Sequence, residues 1–160
     1  MENRVFYTFT DENDGNLAFH VEDNEINVIK NRKNLALKLG YNYEDLVYMN
    51  QIHSANIIVV DENSPKLVDN CDSIITRSKN LPLMVMVADC IPILMFDDKQ
   101  GIIAAIHAGR NSTFLEISKK YDIISEKSFF QILSLPIIEK MSAVRQASQL
   151  DQTCARFRFG

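Results

Sequence analysis

Three side chains combine useful chemistry with suggestive positions: His53 in Gln51-Ile52-His53-Ser54, Cys90 in Ala88-Asp89-Cys90, and His107 in Ile106-His107-Ala108-Gly109. Each borders an apolar run, and the chain has only three histidines in all. A thiolate and two imidazoles suit Zn²⁺, and three protein ligands leave a position open for water, as catalytic rather than closed structural sites do. Water on such an ion approaches a pKa of ~7 and supplies hydroxide at neutral pH. The wide separation leaves a second reading open, a buried thiol with two histidines satisfied by their neighbours.

The elements that must carry these residues follow from local pattern. Residues 5–10 are aromatic and β-branched and end in the turn formers Asp11 to Gly15, so a strand and loop are expected. A helix follows: Asn24 caps it, Glu25 suits its first turn, Val28, Arg32, Leu35 and Leu39 recur at helical spacing, and Gly40 fits the residue after its last turn. Short strands are expected at residues 46–49, 56–61 and 72–76. Residues 81–88, 91–96 and 102–107 are continuously apolar, the pattern of strands covered on both faces. The last two form a hairpin around Asp97-Asp98-Lys99-Gln100-Gly101. A turn centred at or just before Lys99 places Cys90 opposite Ala108 or His107, and only the second pairing puts Cys90 and His107 on one face. Asn111 or Ser112 is expected to cap a helix carrying Phe114, Ile117, Tyr121 and Ile124. Residues 127–141 read as helix broken at Pro136, and residues 142–160 show no clear pattern.

At 160 residues, 46% hydrophobic and 24% charged, the chain has the size and composition of one globular domain, 1–160. The longest apolar stretch is broken by Asp89, Pro82 and Pro92 and falls short of the ~20 residues that span a bilayer. With no basic-then-apolar leader at the N-terminus, a cytoplasmic, non-membrane protein is expected. A net charge of −4 argues against nucleic acid as a partner. The charge is uneven: residues 1–118 hold ten Lys and Arg against seventeen Asp and Glu, and residues 119–160 hold seven against four. Cys71, Cys90 and Cys154 match no disulfide framework or zinc knuckle.

The series Asn31-Arg32, Gln51-Ile52-His53, Cys71-Asp72-Ser73-Ile74-Ile75-Thr76, Ala88-Asp89-Cys90-Ile91-Pro92 and Ala104-Ala105-Ile106-His107-Ala108-Gly109 resembles the YfiH-like family. That family is also called the laccase-domain or multicopper polyphenol oxidase family, and its members are mostly described as purine nucleoside phosphorylases. The resemblance covers residues 5–118. It implies an α/β fold, a layered α-β-β-α sandwich like the catalytic domain of cytotoxic necrotizing factor. It implies that His53, Cys90 and His107 are the zinc ligands and the catalytic centre. The implied reactions are phosphate-dependent cleavage of adenosine, inosine and methylthioadenosine, and adenosine deamination. Copper-dependent phenol oxidation is the older claim and ranks lowest. Phosphorolysis also needs a phosphate seat, for which Arg32 and Arg110 are candidates because guanidinium grips phosphate with two hydrogen bonds. The alternative for Arg32 is an ion pair on the helix surface.

Two departures bear on function. Members usually read His-Ala-Gly-Trp-Arg-Gly-Thr where this chain reads His107-Ala108-Gly109-Arg110-Asn111-Ser112-Thr113. Members also carry a later segment that residues 119–160 do not match, so a C-terminal truncation, frameshift or replacement is the expectation, with a divergent tail that limits turnover. A non-catalytic, metal-binding remnant that self-associates to cover its sheet edge is the rival reading. Met84, Met86 and Met95 are assigned to the core, His20 to solvent or the site's margin, and Cys71 to a half-buried, inert thiol. Cys154, Arg156 and Arg158 are assigned to an exposed, mobile end. Asp72 and Asp89 are expected either to brace the metal ligands or to cap strand ends.

Overall fold

A computed structural model describes residues 5–109, 131–134 and 153–159. The strands are β1 (Val5–Phe9), β2 (Val47–Met49), β3 (Ile57–Val59), β4 (Leu67–Val68), β5 (Ser73–Thr76), β6 (Leu83–Val87), β7 (Ile91–Asp97), β8 (Ile102–Ala108), β9 (Gln131–Ser134) and β10 (Thr153–Phe159); one helix, α1, spans Glu25–Leu39. They build two mixed sheets of five strands, ordered β1-β10-β6-β2-β4 and β3-β5-β8-β7-β9.

Strand periodicity sorts the core. Leu83, Val85 and Val87 of β6 meet Ile74, Leu94, Ile103 and Ala105 of the other sheet in the main hydrophobic cluster. The alternate residues Met84 and Met86 turn outward and pack with Leu17, Leu35 and Leu46 beneath α1. On the opposite sheet Ile75, Met95, Ala104 and Ile106 form the outer cluster. Every residue of β6 and β8 is buried, as continuous apolarity implied. The three methionines are core residues.

Helix α1 begins and ends where its caps require. The Asn24 side chain accepts from the Ile26 amide at 2.9 Å, and Gly40 takes the left-handed conformation with φ 70°. Val28, Arg32, Leu35 and Ala36 face inward, while Leu39 is partly exposed.

Several expectations are corrected. The hairpin pairs Ile91 with Ala108 and Pro92 with His107, closing at Asp97 and Ile102. The turn is therefore longer than assumed. Asp97 Oδ1 accepts from the amides of Lys99 and Gln100, both at 2.9 Å, and Gly101 takes φ 66°, which centres the turn after Lys99. Continued by one step, this register sets Cys90 opposite Gly109, two residues along from His107 but on the same face. Within the expected helix at 127–141, residues 131–134 are instead an edge strand, paired with β7. Residues 153–159, read as a loose end, form β10, which lies inside a sheet and pairs with both β1 and β6. The tail thus supplies a strand to each sheet. The expected helix after Ser112 and the remainder of 110–152 lie outside the described residues. Among the described residues no helix is long and apolar enough to cross a membrane.

Because β10 joins β1 to β6, deleting residues 153–160 leaves two strand edges without their ladder partners and frees β1 from its sheet. The shortened chain is expected to lose cooperative thermal unfolding, read by circular dichroism; a melting curve unchanged from the full chain would show that β10 carries no stability.

Candidate metal centre

The site forms where β6 of one sheet passes into β7 of the other. His107 and Cys90 lie on the inward-facing side of the β7–β8 hairpin, and His53 reaches them from the loop after β2. One ligand atom from each of the three lies within 4.8 Å of the others. Cys90 Sγ is 3.9 Å from His53 Nε2. The two imidazoles meet edge to face with centroids 4.7 Å apart.

Asp72 organises this cluster. It directly precedes β5, and the β5–β8 register sets it opposite His107, whose amide donates to the Asp72 carbonyl at 2.8 Å. The buried Asp72 carboxylate accepts from His107 Nδ1 at 2.7 Å, from the amides of Ile52, His53 and Ser54 at 3.2, 2.9 and 2.6 Å, and from Ser54 Oγ at 2.8 Å. Three successive amides converging on one carboxylate curl the His53 loop around it, and His53 takes φ 58°, a conformation that costs a non-glycine residue about 1 kcal/mol or more. Burial pushes the Asp72 carboxyl up, but the donors from His107, Ser54 and His53 outweigh it and hold the group at about 2. An ionised carboxylate is acceptor only, so His107 Nδ1 carries the proton and Nε2 is left to coordinate. Asp72 therefore braces one ligand through its ring and another through its backbone.

Gln51 ties the same loop to the first sheet. Its Nε2 donates to the Met86 carbonyl at 2.7 Å and its Oε1 accepts from the Met86 amide at 3.0 Å, so the side chain takes the place of a neighbouring strand.

The donor set fits a cation. Burial pushes the Cys90 thiol up, and the Asp89 carboxylate, whose Oδ1 accepts from Sγ at 3.6 Å, and the charge of Asp72 push it further. An isolated thiolate is disfavoured there, whereas a positive ion offsets all three negative groups at once. Cys71, by contrast, is fully buried and raised to about 11, an inert core thiol more buried than expected. Space is also reserved: a Cβ on Gly109 would lie 2.8 Å from His53 Cδ2 and 3.4 Å from both Cys90 Sγ and His107 Cε1. Gly109→Ala is expected to push the exposed His53 ring out of reach and weaken metal binding, with zinc as the probe, roughly 10- to 100-fold, the effect of losing a supporting group, with little change in melting temperature. Chelator competition reads the affinity, and an unchanged value would show that His53 adjusts without leaving the cluster.

The three side chains line a cavity of about 370 Å³ shared with Met49, Met86, Val87, Asn50, Asp89 and His20. His20, expected to face solvent or else to join the site, is exposed and also forms part of the wall. For Arg32 the helix-surface alternative is corrected. It is fully buried rather than on the helix surface, and it is absent from the cavity lining. Its guanidinium lies between the rings of Phe19 and Tyr48, 4.3 and 4.2 Å from their centroids, so aromatic faces supply the favourable contact that water would otherwise give. Arg110 lies outside the described residues.

Residues 8–127 match the family described as multi-copper polyphenol oxidoreductase laccase. The chain belongs to this family. As a laccase-domain protein it is 43% identical over 97 residues to a purine nucleoside phosphorylase of Corynebacterium glutamicum, covering 59% of this chain and 39% of that one. It is 35% identical over 112 residues to an adenosine deaminase of an unknown prokaryotic organism, covering 65% of this chain and 43% of that one. The laccase-domain chain thus spans about two fifths of the length of these relatives. In structure it is similar to the YfiH protein of Bacillus licheniformis, with a TM-score of 0.80 at 20% identity, covering 96% of this chain and 92% of that one. That likeness shows the shared sandwich fold.

Proposed function

We propose that this chain is a zinc-dependent purine nucleoside phosphorylase, cleaving adenosine, inosine or methylthioadenosine with phosphate, with adenosine deamination as a second reaction of the same site. The observation that carries the reading is the convergence of His53, Cys90 and His107 on a cavity large enough for a nucleoside. Sequence similarity to proteins named for these two reactions supports it.

His53, Cys90 and His107 hold the ion, with Asp72 fixing the His107 tautomer. Zinc, when bound, supplies a Lewis acid and a water acidic enough to act near neutral pH. Met49, Met86 and Val87 give the cavity an apolar wall against which a flat purine base can lie, while Asn50 and Asp89 offer polar contacts to its edge and to the ribose. Arg110, next in sequence after Gly109, is proposed as a guanidinium contact for phosphate.

Two other readings have a specific observation behind them. The ligand cluster is complete from His53, Cys90 and His107 alone, which is compatible with a metal-binding protein without turnover. The family's description favours copper and phenol oxidation, but among the described residues a single ligand cluster is present, and a multicopper centre needs more. The deciding experiment is elemental analysis of the purified chain, followed by incubation with adenosine with and without phosphate. One zinc per chain and phosphate-dependent release of adenine are expected, and inosine formed without phosphate reports deamination. Zinc without either product would leave the metal-binding reading standing, and copper in place of zinc the third.

A further inference from the structure

The loop leading to His20 is tied down more firmly than a solvent-facing connection requires. Asn31 Nδ2 donates to the Asn16 carbonyl at 3.0 Å, and the next residue, Arg32, donates from Nε to the Leu17 carbonyl at 2.7 Å. Two successive helix residues therefore hold two successive loop carbonyls. Asn16 also closes the loop on itself, accepting from the Ala18 amide at 2.9 Å and donating to the Ala18 carbonyl at 3.1 Å. The Phe19 ring is pinned on the Arg32 guanidinium, whose Nη2 reaches Met86 Sδ at 3.7 Å.

The two ends of this clamp both open on the cavity. His20 follows Phe19 directly, and Met86 forms part of the same wall. A buried guanidinium is costly to desolvate, and its contacts here tie Phe19, the neighbour of His20, to Met86. Among the described lining side chains there is no lysine or arginine. His53 and His107 belong to the metal cluster, the Asn50 amide donates to Asp69 at 3.2 Å, and that of Gln51 is taken up by Met86. The His20 imidazole is the ring donor of the described lining that lies outside the metal cluster.

We propose that His20 contacts the phosphate co-substrate and that Asn31 and Arg32 are positioning residues that present it. This deepens the phosphorolysis reading and rests on it. An imidazole N–H donates to a phosphate oxygen, and in its protonated form adds charge to the bond. The Asn31-Arg32 pair, a recognisable part of the sequence, acquires a role one residue removed from the ligand.

The test uses the full, zinc-loaded chain and histidine ring NMR. With three histidines in the sequence, His20→Gln assigns the His20 signals by their disappearance. Inorganic phosphate, added against a chloride control of equal ionic strength, is expected to shift the His20 ring signals along a saturating curve. His20→Gln is expected to weaken phosphate binding about tenfold or more while zinc content stays unchanged. Asn31→Ala is expected to move the His20 signals already in the free protein and to raise KM for phosphate several-fold, about what one lost hydrogen bond costs, with kcat and zinc content preserved. Phosphate bound equally by wild type and His20→Gln would overturn the inference alone, as would His20 signals that respond to adenosine and not to phosphate. Failure of the wild-type chain to bind either adenosine or phosphate would overturn the phosphorolysis reading, and this inference with it.

Discussion

Cys90→Ala and His107→Ala are each expected to strip the chain of most of the zinc proposed for it. A three-ligand site loses a third of its protein bonds with either change, and the effect should exceed the roughly 10- to 100-fold that follows loss of a supporting residue. The two variants differ in side effects. Cys90 is half-buried just before β7 and packs against the main core cluster, so alanine there removes one sulfur with a small change in stability. His107 is buried and donates to Asp72, so His107→Ala also leaves that carboxylate short of a donor, at a cost of about 1–3 kcal/mol. Elemental analysis after dialysis, with thermal unfolding alongside, separates the two effects. Full zinc content in both variants would show that the cluster is an accident of packing, whatever the chemistry of its side chains.

How far this site could be read before the fold was known depends on the physics at each residue. Helix α1 was legible because its signals are local: Asn24 and Gly40 act on amides and carbonyls within one turn. The buried strands were legible because apolarity on both faces leaves no other placement. The hairpin register was not, since it turns on the Asp97 side chain capturing two amides, which lengthens the turn and moves Cys90 from opposite Ala108 or His107 to opposite Gly109. Even so, the parity rule held, and both ligands share a face. Arg32 misled for a related reason. A charged residue on an amphipathic stripe is ordinarily solvated, and nothing local announces that Phe19 and Tyr48 will enclose it. Strand β9 depends on a partner far away in sequence and carries no alternation to signal it; β10 does alternate, Ala155-Arg156-Phe157-Arg158-Phe159, a local strand signal that the reading of this end as loose passed over. The role of Asp72 was half visible: its place at the start of an expected strand raised bracing a ligand as one of two readings, but the convergence of the 52–54 amides on it is a property of the folded loop alone.

That convergence makes Asp72 the residue whose loss should reach furthest. Asp72→Asn keeps the shape but replaces one acceptor oxygen with a donor NH₂, which must then face groups that are themselves donors. At least one amide or the His107 Nδ1–H is left unsatisfied in a buried site, and a loss of about 3–5 kcal/mol is expected, the range for breaking a buried charged pair. Zinc affinity should fall as well, because the His107 tautomer is no longer fixed. Acid titration of the metal-free chain offers an independent measure. The folded carboxyl, at about 2, lies below the ordinary value of 3.8, so Asp72 stabilises the fold fully above pH ~4, and that contribution fades as pH falls from there to ~2. The shift corresponds to about 2 kcal/mol. Urea unfolding of the metal-free wild type should therefore lose stability steeply below pH ~4, while Asp72→Asn lacks this limb. Ser54→Ala, which removes only the 2.8 Å hydroxyl donor, should raise the folded pKa and move the limb to higher pH without abolishing folding. A stability difference between wild type and Ser54→Ala that stays constant from neutral pH to ~2 would mean that the carboxylate's donors do not hold it ionised, and that the His53 loop is shaped by its backbone alone.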